Sequence, residues 1–138
     1  MGMDETVIEL TRGLDLNPGA SENLLKKVEL QLGVSLPPEY VDFVKYSNGA
    51  EGIIGENSYL VLWPMEEIDL LNEAYAVSEF APGLLLFGSD GGGAGYAFDT
   101  RSETMPIVEV PFIGMNLDNT KLCGQTFIEF LKYLHSQT

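Results

Sequence analysis

Basic side chains are scarce in this chain: seven Lys and Arg face 21 Asp and Glu, for a formal net charge of −14. Nucleic-acid binding depends on basic groups that displace counterions from phosphate, so this balance argues against a nucleic-acid partner. It argues equally against an anionic membrane surface. Cys123 is the only cysteine, so no intrachain disulfide can form and nothing points to an oxidising compartment. His135 is the only histidine, and it falls in the last turn of a C-terminal helix. There a cation suits the helix dipole, and a Cys or Ser nucleophile elsewhere lacks its usual base. No apolar run approaches membrane-spanning length. The first twenty residues carry Asp4, Glu5, Glu9 and Asp15 and lack the apolar stretch of a signal peptide, so a cytoplasmic location is expected. Met1-Gly2 with Thr6 fits an N-myristoylation pattern, but acidic flanks and the absence of a basic patch argue against anchoring.

What the chain does have is core material. Hydrophobic residues make up 45% and aromatics 10% of 138 residues, enough for one domain without metal or disulfide support. No repeat, linker or low-complexity tract divides it, so residues 1–138 read as a single domain, with 1–20 as an N-terminal extension.

The N-terminal tract predicts a short helix around Val7, Ile8 and Leu10, ended by Gly13. A second helix follows Asn17-Pro18-Gly19, with Ser21 or Asn17 as its cap, Leu24, Leu25, Val28 and Leu32 at helical spacing, and Gly33 as a left-handed terminator. Pro37-Pro38 opens a third, with Tyr40, Phe43 and Val44 on one face and Asn48-Gly49 as its stop. After Gly49 the period changes. Ile53-Ile54, Tyr59 to Trp63, Leu84 to Phe87, Tyr96 to Phe98 and Ile107 to Val110 read as strands. One helix from Met65 towards Phe80 interrupts them, and a capping-box sequence at Thr126 to Glu129 starts a C-terminal helix. The expected fold is α+β, a single mainly antiparallel sheet with helices at the N-terminus, one mid-chain helix and a C-terminal helix.

The glycine-rich stretch GSDGGGAGYAFD (88–99) lacks the Gly-Lys-Ser/Thr of a phosphate loop, and Tyr96 stands where G-x-G-x-x-G needs its last glycine. It leads into a strand, so a hairpin that uses positive φ explains it without a ligand. Nor does Asp90 suit a nucleophile elbow, which needs a strand-to-helix turn and a base. Asp90 and Asp99 flank the hairpin, and a small carboxylate-dependent hydrolase would require them to converge. Turn-forming Asp is the ordinary reading. No metal-ligand spacing is present, and no metal or cofactor is expected. Trp63, ahead of Pro64, reads as a core edge before a binding anchor.

Acidity is uneven. From Tyr46 to Thr100 there is no Lys or Arg, against nine acids: Glu51, Glu56, Glu66, Glu67, Asp69, Glu73, Glu79, Asp90 and Asp99. Solubility alone is one explanation, and an acidic docking face for a basic protein partner is the other. On the second, Glu66, Glu67, Asp69, Asp90 and Asp99, with Tyr96 from the hairpin, are the candidate partner-binding residues.

Gly33 and LPPEYVDFVKYSNG (36–49), YLVLWPMEEI (59–68), LLLFGSDGGGAGYAFD (84–99) and TFIEFLKYL (126–134) occur in an order that resembles the SUKH superfamily. That group includes the fungal Smi/Knr regulators of cell-wall synthesis and many bacterial immunity proteins. The resemblance spans about residues 21–135; the connection from Phe112 to Cys123 looks individual. It implies an α+β fold, no catalytic residues and no cofactor. The implied role is a non-enzymatic immunity protein that neutralises a cognate toxin, often a nuclease. An intracellular regulatory scaffold is the alternative, ahead of the hydrolase.

Overall fold

The structure is a computed structural model that describes residues 4–137. Met1 and Gly2, which begin the acylation pattern, lie outside the described residues. Helix α1 (Glu5–Leu10) is capped by Asp4, whose carboxylate accepts from Thr6 N–H, and leads into β1 (Leu14–Leu16). In α2 (Glu22–Leu32), Ser21 is the cap, accepting from Leu24 N–H, and Gly33 terminates it at φ 73°. Helix α3 (Pro38–Tyr46) places Pro38 in its first turn, where a missing N–H costs nothing.

Strands β2 (Ala50–Ile54) and β3 (Ser58–Leu62) form a hairpin. Helices α4 (Met65–Ala74) and α5 (Val77–Phe80) follow, then β4 (Leu84–Ser89), β5 (Ala94–Asp99) and β6 (Ile107–Pro111). The chain closes with β7 (Lys121–Gly124) and α6 (Phe127–His135). All seven strands form one sheet in the order β1-β2-β3-β4-β5-β6-β7, and every neighbouring pair is antiparallel. The α+β expectation holds.

Two features differ from the sequence reading. The mid-chain helix is broken in two: Ala76 takes a left-handed conformation (φ 54°) between α4 and α5. The break turns the chain so that Val77 and Ala81 are buried. Strands β1 and β7 were not anticipated, because three and four residues are too few to show a two-residue period.

The core lies between one sheet face and helices α3 and α6. Tyr40 and Phe43 of α3, Phe127 and Phe130 of α6, and Phe87 and Phe98 of the sheet are all nearly inaccessible. Phe87 and Phe98 stack at 4.3 Å, and Tyr40 meets Phe98 edge-on at 5.0 Å. Tyr40 donates its hydroxyl hydrogen to Met65 Sδ at 3.8 Å, and burial pushes its phenol pKa well up. The capping box forms at α6: Thr126 Oγ1 accepts from Glu129 N–H, while the Glu129 carboxylate reaches back to Gln125 N–H. Helix α3 stops at Ser47, its extended C-cap, one residue ahead of the expected Asn48-Gly49, and Asn48 instead reaches the next helix. Its Oδ1 accepts from Met65 N–H, capping α4 from a distance, and its Nδ2 donates to Glu66.

Candidate protein-binding face

Strand register builds the site. Asp15, Glu51, Val61, Ser89, Gly95 and Val110 are successive cross-strand partners, so they form one row on one face of the sheet. At the β4–β6 end that face is covered. Phe112 lies over Gly95, where an added Cβ would stand 2.9 Å from its Cε1, and Leu86, Ala97 and Val110 are fully buried. At the β1–β3 end it is open, with Asp15, Glu51, Ile53 and Tyr59 exposed. A ladder of three rings marks the boundary: Trp63 stacks on Tyr75 at 6.3 Å, and Tyr75 stacks on Phe112 at 4.3 Å.

The open end holds a groove of about 450 Å³ whose walls include Asp15, Glu51, Tyr59, Val61, Trp63 and Glu67. It carries three carboxylates and no Lys or Arg. Tyr59 donates its hydroxyl hydrogen to Glu51 at 2.6 Å. That hydrogen bond is the main cause of a raised Tyr59 pKa, followed by desolvation and the charges of Glu51 and Asp15. Beneath Tyr59 the chain needs glycine: Gly91 has φ 80°, and a Cβ there would stand 2.7 Å from the tyrosine Cδ2.

Tyr59 also borders a second depression of about 390 Å³, shared with Asp90, Tyr96, Glu109, Lys121 and Tyr133. Here two carboxylates meet one cation, and Lys121 Nζ sits 5.5 Å from the centre of the Tyr133 ring. Tyr96 packs edge-on against Phe130 at 4.9 Å. Its phenol pKa is pushed well up, first by burial and then by Glu109 and Asp90. A roomier hollow of about 520 Å³ at the end of α2 is lined by Lys26, Glu29 and Leu30, and it has neither the rings nor the carboxylate excess.

The structure spreads the six sequence candidates over several places. Glu67 lines the groove; Asp90 and Tyr96 line the second depression. Glu66 is exposed and accepts from Asn48, and Asp69 lies partly buried on α4, lining neither hollow. Asp99 forms a two-point pair with Arg101, at 2.9 Å through both Nε and Nη2, which holds its carboxyl below the usual range. The convergence that a carboxylate hydrolase would need is overturned by register. Asp99 pairs with Leu84 at one end of the β4–β5 hairpin, while Asp90 sits in the turn at the other. A strand advances about 3.3 Å per residue, which keeps them well apart. Asp90 serves the turn itself, accepting from Gly92 and Ala94 N–H.

Asp15, Glu51, Tyr59 and Glu109 were not singled out from the sequence. Glu51 was visible as one of the nine acids between Tyr46 and Thr100, but its neighbour Asp15 emerges only once β1 is paired. Among the described residues the ion pairs are Arg12–Glu9, Lys45–Glu22 and Arg101–Asp99. Of the nine acids between Tyr46 and Thr100, then, Asp99 alone has a basic partner. No group of three or more His, Cys, Asp or Glu among the described residues is arranged to hold a metal ion. Cys123 is buried, and desolvation pushes its thiol pKa up to about 11. No helix among the described residues is long and apolar enough to cross a membrane.

No curated protein matches the chain. The model of the SMI1 / KNR4 family (SUKH-1) matches residues 19–133, from just before α2 to within α6, and the chain therefore belongs to that family.

Proposed function

We propose that the chain is a non-enzymatic protein-binding domain of the immunity type, which works in the cytoplasm by holding a basic toxin domain against the acidic end of its sheet. Family membership supports a domain of the toxin-immunity or regulator type. The observation that carries the basic partner is charge: eight of the nine acids between Tyr46 and Thr100 have no Lys or Arg opposite them among the described residues. Uncompensated like charge costs the fold self-repulsion, and a cationic partner relieves it while being drawn in by the long-range field.

Co-expression with any toxin encoded beside this gene is the test. The expected result is rescue of growth, co-purification of the two proteins, and an association rate that drops steeply from low to high salt. A neighbouring toxin that is neither bound nor neutralised removes the immunity reading. Capture of a signalling or envelope-synthesis protein in its place moves the assignment to a regulatory scaffold.

A further inference from the structure

The groove at the open end of the sheet combines an indole donor with an excess of carboxylates. Trp63, the only tryptophan, is 8% exposed and stacks on Tyr75, which stacks in turn on Phe112. Its indole N–H donates and cannot accept. Among the described residues no acceptor reaches it, and no fully buried side-chain nitrogen or oxygen lacks a partner, so this N–H keeps access to solvent. In the same groove wall, Asp15, Glu51 and Glu67 are acceptors that bring three negative charges with no cation beside them.

Taking the chain as a protein-binding domain, as proposed above, we infer that this groove receives an arginine-bearing extended segment of the partner. The guanidinium is held among Asp15, Glu51 and Glu67 and against the Tyr59 ring, and a main-chain carbonyl accepts from Trp63 Nε1. The donor and the carboxylates together select this occupant. A bare cation or a polyamine neutralises the carboxylates and offers nothing to the indole. A neutral or acidic peptide offers a carbonyl and no charge. Arginine surpasses lysine here because its planar fork of donors engages several carboxylates and stacks on an aromatic ring. The clamped tryptophan is already ordered, so little conformational freedom is lost when the segment arrives.

With one tryptophan, the 15N-labelled protein has one indole cross-peak, which reports the groove directly. At low salt, titration with acetyl-Gly-Arg-Gly-amide is expected to shift that peak saturably. The same peptide with citrulline for arginine gives no saturable shift. Spermidine moves the backbone amides of Glu51 and Glu67 and leaves the indole in place. The double variant Glu51→Gln/Glu67→Gln, which removes two exposed charges and keeps an amide oxygen for the Tyr59 hydroxyl, weakens the arginine peptide about tenfold. An indole that stays still with the arginine peptide, an equal shift with spermidine, or undiminished binding by the double variant overturns the assignment. Toxin binding with a stationary indole defeats the groove and spares the immunity reading; peptide binding with no toxin bound does the reverse.

Discussion

The two ends of the sheet are built on different patterns. In β4 all six residues are buried, and in β5 the inner four are. Strands β2 and β3 instead alternate, with Ala50, Ile54, Leu60 and Leu62 inward and Glu51, Ile53 and Tyr59 outward. A continuous apolar run suits a strand covered on both faces, and alternation suits one with a face in water. Stability is therefore concentrated where the sheet is sandwiched. The open end can carry repelling carboxylates because little packing depends on them. The ring ladder from Trp63 to Phe112 fixes the border between the two.

The contrast is broken most forcefully at Phe87. Phe87→Ala removes a fully buried ring from the aromatic cluster and is expected to cost about 3–5 kcal/mol. Val61→Ala at the open end should cost about 1 kcal/mol or less. Urea denaturation compares them, and equal losses would mean the two ends do not differ. Next comes the seam. The β3–β4 ladder holds only two residue pairs, Val61 with Ser89 and Leu62 with Gly88. Beyond them the Asn72 side chain takes the place of a strand, donating to Leu86 C=O at 2.9 Å and accepting from Leu86 N–H at 2.8 Å. Asn72→Ala strands both groups and should cost about 2 kcal/mol, with faster hydrogen exchange at the Leu86 amide. Unchanged protection there would show that the seam is held by something else.

The smallest effect is expected at Asp99, on the covered end. Arg101 lowers its folded-state pKa below the ordinary 3.8. A depressed carboxyl stabilises the fold above its unfolded value, and that contribution disappears as pH falls through the folded one. Asp99→Asn should therefore cost less than about 1 kcal/mol at neutral pH, since the pair is solvent-screened. It should cost nothing once the parent Asp99 is protonated. Melting curves from neutral to strongly acidic pH check the sign; a penalty that persists in acid points to the turn hydrogen bond at Arg101 N–H rather than the charge.

Much of the fold was legible because its signals are local. Gly33, the Pro37-Pro38 entry, the hairpin around Asp90 and the Thr126 cap each act within a few residues. The break at Ala76 was not, since alanine favours helix and only the demand to bury Val77 overrides it. The charge gap from Tyr46 to Thr100 was readable as composition, but the groove was not. It needs Asp15 brought opposite Glu51 by a three-residue strand, and Trp63 brought beside Tyr75 by a helix that ends there. Of the residues picked by charge, Glu67 lines the groove, whereas Asp99 is paired with an arginine two residues away.

Because strand order follows chain order throughout, the sheet has its first and last strands as its two free edges. Such an architecture can be extended or trimmed at either end without rerouting any interior connection. The family match begins at residue 19, after β1, and β1 supplies Asp15 to the groove from one of these free edges. Lengthening, shortening or resequencing β1 would thus reshape one wall of the groove and leave the sandwiched end untouched, which is a simple route to altered partner choice on an unchanged scaffold.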